Sequence, residues 1–457
     1  MKSLFGLPVL LFAFACKAQS PVDSKHREIV FQSVNVVPMD SERVLTNQDV
    51  VVKNGFIISI TESGKIKYGK NALFINAKGK FLIPGLAEMH AHVPPVNDLE
   101  PMKEVLRLFA YNGITTIRGM LGHPLHLELR DKIQNGEIPG PRFYTSGPSL
   151  NGTSVKTVEA AEEMVRSQKK AGYDFMKLHP GLTKETFGAI AKTAKEVVMP
   201  FAGHVSFKVG VWMAIEEGYA TIDHLDGFVE CLVPDIESVK ENETGLFGMF
   251  IADRAEERRI PTLMKALREK NIWIVPTQAL AERWFTPEKD ADAYSKEPEM
   301  IYMNEATMKS WITNKHNLAA NPMYNPVAMR NFIQLRRKLI LECQRNGVGL
   351  LLGSDGPQVF NVPGFSVHHE LKYMVDAGLT PFEALLSGTV NVAKFYNRND
   401  IGMIKTGFLS DMILLDGNPL ENIENTKKIE GVMLGHLWLS KEYIDQELKK
   451  LEKPKPF

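Results

Sequence analysis

Two histidines, His90 and His92, lie two residues apart in a short stretch that is typical of a β-strand. Residues i and i+2 of a strand point to the same face, so both imidazoles can reach one point in space. Neutral imidazole is the commonest protein ligand for zinc and similar ions. The pair therefore indicates a metal site, although two histidines on a half-exposed strand would give the same pattern.

Three further candidate ligands lie in or after short apolar runs in the middle of the chain. Lys177 lies inside such a run, where a lysine is costly unless it is neutralised or paired. His204 and His224 follow at intervals that suit one strand–helix unit each, and this recurrence favours a shared site over two unrelated packing residues. His179 faces the same way as Lys177, and we rank it second, as a substrate contact or a satisfied polar residue.

Asp355 follows the apolar run 348–353, which is typical of a buried strand. An aspartate in this position can cap the next helix, accept hydrogen bonds from turn amides or bind a metal. The remaining histidine pairs are weaker candidates, namely His123 and His126, which have a helix-compatible spacing, and His368 and His369, which we expect to be structural.

Strands and helices alternate over residues 84–400, and the pattern predicts an α/β fold with a parallel sheet that closes into a (β/α)8 TIM barrel. Two stretches exceed what the barrel units need, near 228–259 and 283–326. Long loops after barrel strands build the mouth of an active site, so these insertions are interpreted as a lid. A pair of surface helices without a role in catalysis is the alternative.

A small β domain is predicted in the N-terminal part of the chain. Residues 27–83 alternate short apolar runs with turn signals, and Asn54-Gly55 between two of them is a strong hairpin signal. A matching set of apolar runs returns at 405–445. By itself such a domain could equally bind a carbohydrate or a partner.

Composition excludes several classes of protein. The 457 residues contain 54 basic and 54 acidic side chains, so no charge excess points to nucleic acid or to an acidic membrane surface. Hydrophobic residues make up 44%, which suits a large core and is too low for a polytopic membrane protein. The three cysteines are widely scattered and indicate neither a disulfide framework nor a cysteine metal site.

Residues 1–20 are typical of a signal peptide, with Lys2, an apolar core and small residues before Cys16. Cys16 is a candidate for lipidation, as in a bacterial lipoprotein, which would place the protein in the periplasm or at the outer membrane. Cleavage after Ala18 would instead release a soluble, secreted protein. Membrane contact is therefore expected only through a lipid anchor.

The pattern Pro-Gly-Leu-x-x-x-His-x-His from Pro84 to His92 resembles the opening motif of the amidohydrolase superfamily, metal-dependent hydrolases built on a (β/α)8 barrel. The resemblance extends over nearly the whole chain beyond the N-terminal segment. The resemblance is closest to the branch that contains imidazolonepropionase-like and prolidase-like enzymes. It implies that both chain ends form one small β-sandwich beside the barrel. Arg118-Gly119 is a departure, because the family often has Arg-Asp there.

The same resemblance implies a binuclear metal centre and a role for each candidate residue. One divalent ion would be bound by His90, His92 and Asp355, the other by His204 and His224, with a carboxylated Lys177 (a carbamate) as the bridge. Zn²⁺ suits this ligand set best, and Mn²⁺, Fe²⁺ or Co²⁺ would also fit. A hydroxide held by both ions would be the nucleophile, with Asp355 as the general base.

The implied reaction is hydrolysis of an amide C–N bond, either in a dipeptide, as in prolidase-like enzymes, or in a cyclic amide. Ester or lactone hydrolysis on the same site is one alternative. A cell-surface binding protein that keeps the barrel without the chemistry is another. The expected partner is a small-molecule or dipeptide substrate, and the oligomeric state stays open.

Overall fold

The computed structural model describes residues 20–454. The signal peptide and the lipidation site Cys16 therefore lie outside the described residues, apart from Ser20. Cys231 and Cys343 are both buried and free. Within residues 20–454 no helix has the length and apolar character needed to cross a bilayer.

The described strands, in chain order, are β1 (Val22–Asp23), β2 (Ile29–Val36), β3 (Leu45–Lys53), β4 (Phe56–Glu62), β5 (Leu73–Asn76), β6 (Phe81–Pro84), β7 (Leu86–Ala91), β8 (Ile114–Gly119), β9 (Arg142–Thr145), β10 (Met176–Leu178), β11 (Phe201–Gly203), β12 (Thr221–Asp223), β13 (Trp273–Val275), β14 (Met412–Leu415), β15 (Ile429–Leu434) and β16 (Leu437–Ser440).

The described α-helices are α1 (Leu99–Tyr111), α2 (Leu125–Gln134), α3 (Val158–Ala171), α4 (Lys184–Val197), α5 (Gly210–Glu217), α6 (Phe228–Leu232), α7 (Glu241–Thr244), α8 (Ile260–Glu269), α9 (Gln278–Phe285), α10 (Ala291–Ser295), α11 (Glu305–Ala319), α12 (Pro326–Arg345), α13 (Phe365–Asp376), α14 (Pro381–Ser387), α15 (Val390–Phe395) and α16 (Lys441–Leu451). Short 3-10 turns occupy Ile236–Ser238, Leu246–Gly248, Ala252–Arg254, Glu257–Arg259, Pro298–Tyr302 and Ile423–Lys427.

Strands from both chain ends share one nine-stranded mixed sheet, in the order β1-β16-β15-β14-β6-β2-β3-β4 with β5 beside β2. The junction between the two ends is the antiparallel pair β6–β14, in which Ile83 lies opposite Ile413. The predicted hairpin is confirmed, since β3 and β4 pair across Asn54 and Gly55, whose φ angles of 53° and 78° match a left-handed two-residue turn. A two-layer sandwich is not confirmed by this pairing.

The central strands form two parallel sheets, β7-β8-β9 and β10-β11-β12-β13. An isolated bridge between Ser146 and Phe175 joins the first sheet to the second. On the other side, Leu350 bridges to Ile274, and the Met89 amide donates to the Leu352 carbonyl at 2.8 Å. The parallel strands and intervening helices agree with the predicted α/β class, although one closed eight-stranded sheet is not assigned among the described residues.

The predicted eighth strand is wrong in extent, because the run that leads to Asp355 is assigned only the bridge at Leu350, although its backbone also hydrogen-bonds to Ile274 and to Met89. Its glycines show why the segment is irregular. A Cβ on Gly349 would lie 2.2 Å from the Trp273 ring, and one on Gly353 would lie 2.5 Å from a Val275 methyl. The chain approaches its neighbours so closely at both positions that a side chain larger than that of glycine would not fit.

Helix α3 is defined by local signals at both of its ends. Thr157 caps its first turn by accepting a hydrogen bond from the Ala160 amide, and Gly172 ends it with a φ of 89°. The helix buries Ala161 and Val165, which are spaced i, i+4 and therefore lie on one face. Such local signals make this one of the elements that the sequence determines most directly.

The second insertion, residues 283–326, packs onto the loop that follows Asp355. Tyr294 of α10 stacks on Phe360 with ring centroids 5.2 Å apart. Lys315 of α11 donates to the carbonyls of Arg283, Trp284 and Thr286 at 2.9 to 3.1 Å, which satisfies the carboxyl end of α9. The aromatic stack therefore joins the insertion to the loop after Asp355, and the buried cation joins α11 to the end of α9 within the insertion.

Candidate metal centre

All six predicted ligands meet at the carboxyl ends of the central strands. Their positions along the chain are His90 in β7, His92 just beyond it, Lys177 in β10, His204 after β11, His224 after β12 and Asp355 after the bridge at Leu350. Short distances between neighbouring side chains connect all six of them. The carboxyl end of the strands is where ligands and catalytic groups collect in parallel α/β folds.

His90, His92 and Asp355 form the tightest group. Their candidate ligand atoms all lie within 4.8 Å of one another. Asp355 Oδ1 is 2.7 Å from His92 Nε2 and 3.6 Å from His90 Nε2. This oxygen is nevertheless buried without a well-formed hydrogen bond, so the atoms point toward a common space instead of toward each other. A divalent cation would satisfy all three at once.

His204 and His224 form the second group. Their ring centroids are 4.4 Å apart, and the His224 ring lies at the same 4.4 Å from the His90 ring. His224 Nδ1 is 2.8 Å from Thr277 Oγ1, whereas its Nε2 is buried and has no hydrogen-bond partner among the described residues. An unpartnered buried nitrogen is costly, and a metal ion would remove that cost.

Lys177 lies between the two groups. It is fully buried, and its Nζ is 3.4 Å from His90 Nε2. Burial lowers the pKa of this amine to about 8, against the opposing effect of Asp223 and Asp355. Gly203 leaves the space that the side chain occupies, since a Cβ there would come within 2.7 Å of Lys177 Cδ.

The imidazoles are held in the neutral form that metal binding requires. Burial lowers the pKa of His90 and of His224 well below the usual value, and it lowers the pKa of His204 to about 3. The positive charge of Lys177 acts in the same direction on each of them. The donor set, with neutral imidazoles and an unpartnered carboxylate oxygen, fits divalent ions.

Two aspartates that flank His224 orient the histidines and were missed by the sequence reasoning. Asp223 accepts a hydrogen bond from His90 Nδ1 at 2.9 Å, and Asp226 accepts one from His204 Nδ1 at 3.0 Å. Carboxylates in these positions fix the tautomer and the ring orientation of a metal-binding histidine. The only local signal was the pattern Asp-x-x-Asp around a histidine that was already a candidate.

Arg118 compensates the charge of Asp223. Its Nη2 is 3.3 Å from Asp223 Oδ1, and its Nε donates to the Met89 carbonyl at 2.8 Å. The guanidinium also lies 5.4 Å from the centroid of the Phe175 ring. A buried arginine therefore connects β8 to the residues that orient His90, next to Gly119, where the sequence departs from the family's Arg-Asp.

Glu88 hydrogen-bonds to both chain segments that carry the first ligand group. Its role was not predicted from the sequence. Its carboxylate accepts hydrogen bonds from the amides of His90 at 2.8 Å and of Ser354 at 2.9 Å. Burial raises the pKa of Glu88 to about 7, although these hydrogen bonds act against the shift. The strand that carries His90 and the loop that carries Asp355 are thereby held together.

Several residues at the site adopt left-handed backbone conformations that are uncommon for residues other than glycine. The φ angles are 63° at His224, 47° at Thr277 and 64° at Asp355. Arg336 supports this geometry by donating to the His224 carbonyl at 2.7 Å. Such conformations collect at functional sites, where surrounding contacts must maintain them.

Two clefts open beside the ligands. A cavity of about 720 Å³ is lined by His204 and by residues of the first insertion, 228–259. A shallower cleft of about 680 Å³ is lined by His179 and Ser149. His179 Nδ1 lies 2.6 Å from Ser149 Oγ, and its ring stacks on that of His204 with centroids 5.0 Å apart. Burial lowers the pKa of His179 to about 2, so it is a neutral group beside the centre.

The other histidine pairs are separate from this centre. His126 is buried with Nε2 3.2 Å from the Pro94 carbonyl oxygen, and His123 Nδ1 accepts a hydrogen bond from the Leu125 amide. His368 lies between the Asn112 carbonyl and Thr426. These contacts give both pairs a structural explanation.

Glu297, Glu299 and His369 form a second group of ligand-type side chains. Arg283 already occupies the cation position there, since it pairs with Glu297 and lies 3.7 Å from Glu299. Lys289 pairs with Glu297 as well. These ion pairs therefore hold the second insertion in place. Because the carboxylates are already neutralised by Arg283 and Lys289, we do not expect a metal ion to bind there.

The chain is similar in sequence and fold to known hydrolases. It is 23% identical over 425 residues to a 5-methylthioadenosine/S-adenosylhomocysteine deaminase from Clostridium tetani, with 85% of each chain covered. It is 22% identical over 449 residues to an ochratoxinase from Aspergillus niger, covering 88% of this chain and 84% of the relative. A Xaa-Pro dipeptidase structure with bound methionine superposes with a TM-score of 0.66 at 19% identity, over 90% of this chain and 100% of the other.

The fold that these neighbours share is a TIM-barrel-type α/β fold. The model of the amidohydrolase family matches residues 81–436, which is most of the chain. This stretch includes every strand end that carries a candidate ligand. The match agrees with the resemblance that began at Pro84, and the chain belongs to the amidohydrolase family.

Proposed function

We propose that this protein is a metal-dependent hydrolase that cleaves an amide C–N bond of a dipeptide or of a cyclic amide. The observation that carries the proposal is the group of His90, His92 and Asp355, where an unpartnered carboxylate oxygen and two imidazoles converge. Family membership supports hydrolysis in general. The dipeptidase-like fold and the deaminase and ochratoxinase relatives favour carbon–nitrogen bonds.

The proposed centre is binuclear. His90, His92 and Asp355 would hold one ion, His204 and His224 the other, with Lys177 as a carbamate bridge, and Zn²⁺ suits these donors best. Bound divalent ions would polarise the scissile carbonyl and lower the pKa of a water. Support comes from the position of Lys177, which is fully buried and 3.4 Å from His90 Nε2.

The protein's own groups have separable tasks in this proposal. Asp355 would be the proton carrier, because its carboxylate lies within the ligand group, where the reacting water would be held. Asp223 and Asp226 keep His90 and His204 in the tautomer that leaves the other ring nitrogen free. His179 presents a neutral imidazole to the open cleft, where it would contact the substrate.

Several wider proposals accompany this function. The two parallel sheets would complete a closed (β/α)8 barrel through the bridges at Ser146 and Leu350, and the terminal strands would form the family's β-sandwich. The N-terminal segment would export the protein, as a lipoprotein anchored at Cys16 or as a soluble protein. Its partner would be a small molecule or a dipeptide, and self-association is open.

Metal analysis combined with a substrate panel tests the proposal. The purified protein is loaded with Zn²⁺, its metal content is measured, and it is assayed on dipeptides, cyclic amides, purine amines, esters and lactones. Hydrolysis of an amide that a chelator abolishes and added metal restores supports the proposal. Turnover restricted to esters or lactones would favour the alternative chemistry. If the protein carries two metals and hydrolyses nothing in the panel, a binding protein becomes the better explanation.

A further inference from the structure

The cavity of about 720 Å³ leads from the candidate metal centre into the first insertion. His204 and Asp226 line its inner end. Its wall combines apolar and polar side chains, and the larger apolar ones are Phe207, Trp212, Val233, Leu246 and Phe247. Trp212 and Leu246 are exposed at 44% and 42%, so apolar surface continues to the outside of the cavity. The dimensions suit a substrate side chain that extends away from the scissile bond.

Glu230, on α6, is one of several ionisable side chains in this wall, together with Lys184, Lys208, Asp226, Glu237, Glu241 and Arg259. It lines the cavity, and its Oε2 is buried without a hydrogen-bond partner among the residues that the structure describes. Burial raises the pKa of Glu230 to about 8, and the charge of Asp226 adds to the shift. Glu230 Oε2 therefore lacks a hydrogen-bond donor, and none of the described residues around it supplies one.

The charges around Glu230 determine which donor would fit. Asp226 already binds His204, so the inner part of the cavity carries two carboxyl groups. Lys184, Lys208 and Arg259 line the same cavity, yet no ion pair joins any of them to Glu230 in the described part of the chain. At Glu230 an anionic group would meet an unpartnered carboxyl group beside Asp226, whereas a cationic group would supply the missing donor and a charge that favours the ionised form of the carboxyl group.

We propose that Glu230 forms a subsite that binds an aliphatic amine or guanidinium group of the substrate, with the apolar part of the cavity wall holding its alkyl chain. The subsite deepens the hydrolase function proposed above and rests on it for its biological meaning. Glu230 is a specificity residue here, because it contacts a remote part of the substrate and takes no part in bond cleavage. Its effect should therefore depend on the charge of the ligand.

The test compares ligands that differ only in an ammonium group. Nα-acetyl-L-lysine and Nα-acetyl-L-norleucine are titrated into the zinc-loaded, full-length protein by calorimetry. The dipeptides Ala-Lys and Lys-Ala are assayed against their norleucine counterparts. We expect the wild-type protein to prefer the lysine ligand, and one of the lysine dipeptides, by about 10- to 100-fold, as for a hydrogen-bonded charge pair.

Glu230→Gln should remove this preference while affinity for the norleucine ligand stays unchanged. Glu237→Gln is the matched control, because Glu237 is exposed on the same cavity. The melting temperature of Glu230→Gln should not fall, since the substitution removes an unpartnered buried carboxyl group. Glu230→Asp, which keeps the charge on a shorter side chain, serves as a second variant and should retain part of the preference.

Two results would overturn the subsite, namely equal binding of lysine and norleucine ligands by the wild-type protein, or an unchanged lysine preference in Glu230→Gln. Binding does not require turnover, so the two proposals can fail separately. Lysine-selective binding that depends on Glu230, without hydrolysis of any amide, would support the subsite and contradict the hydrolase. Amide hydrolysis without any preference for the cation would do the reverse.

Discussion

Replacement of Asp223 by asparagine should damage both the stability of the fold and its affinity for metal. Asp223 is fully buried and accepts hydrogen bonds from His90 Nδ1 at 2.9 Å and from Thr221 Oγ1 at 2.6 Å. Its charge also compensates the buried guanidinium of Arg118, 3.3 Å away. Removing one partner of a buried ion pair costs about 3–5 kcal/mol, because the other charge is left uncompensated.

The second effect acts through His90. An asparagine can present either its oxygen or its amino group to Nδ1, so the tautomer and the ring orientation of His90 are no longer fixed. Loss of such an orienting carboxylate weakens metal binding by about 10- to 100-fold. We therefore expect a lower unfolding free energy even in the metal-free protein, and in addition a weaker affinity for Zn²⁺.

Chemical denaturation in the presence of a chelator measures the first effect, and competition with a chromophoric chelator measures the second. Asp376→Asn is the control, because it removes the acidic partner of Lys372 in an exposed helical pair, which should cost less than about 1 kcal/mol. If Asp223→Asn unfolds at the wild-type denaturant concentration and binds Zn²⁺ with wild-type affinity, the network described around His90 does not stabilise the site.

Three further predictions concern other parts of the molecule. Lys177→Ala should lose at least one metal per chain by elemental analysis, and a short carboxylic acid should partly restore it, whereas two full equivalents would contradict a bridging role. Gly203→Ala should destabilise the protein by about 1–3 kcal/mol and reduce its metal content, because the new Cβ would lie 2.5 Å from the Leu178 carbonyl oxygen and 2.7 Å from Lys177 Cδ, and an unchanged melting temperature would contradict the close packing. For Asp49, burial raises the pKa, but hydrogen bonds from Tyr68 and from the Ser33 and Gly64 amides outweigh it, so the folded-state pKa lies below the usual value. Its stabilisation is then present above about pH 4 and lost as the pH falls further, so the difference in unfolding free energy between wild type and Asp49→Asn should shrink below pH 4. If the difference in unfolding free energy instead grows as the pH falls, the direction assigned to the pKa shift of Asp49 is wrong.

The sequence was most informative where a function or a fold leaves a local pattern. His90 and His92 share a face of β7 because of their spacing, and the recurrence of His204 and His224 after short strands follows the repeat of the barrel. The hairpin at Asn54-Gly55 and the helix end at Gly172 depend on single residues with positive φ. Each of these features could be predicted without knowledge of distant contacts.

The supporting groups could not be found in the same way. Glu88 binds the Ser354 amide and Arg118 lies beside Asp223, and both contacts join residues far apart in the chain. Nothing in the local sequence distinguishes such a buried carboxylate from an exposed one. The eighth strand was overextended for a related reason, because Trp273 limits the path of the chain at Gly349 through tertiary packing.

Turnover by Asp355→Asn, compared with wild type at matched metal content, tests the central claim most directly. Asparagine keeps an oxygen of similar position but cannot accept a proton at neutral pH. For any amide that the wild-type protein hydrolyses, we predict that the variant binds metal and substrate while kcat falls by about 100-fold or more. A wild-type kcat in the fully metal-loaded variant would contradict the role of Asp355 and, with it, the proposed hydrolytic centre.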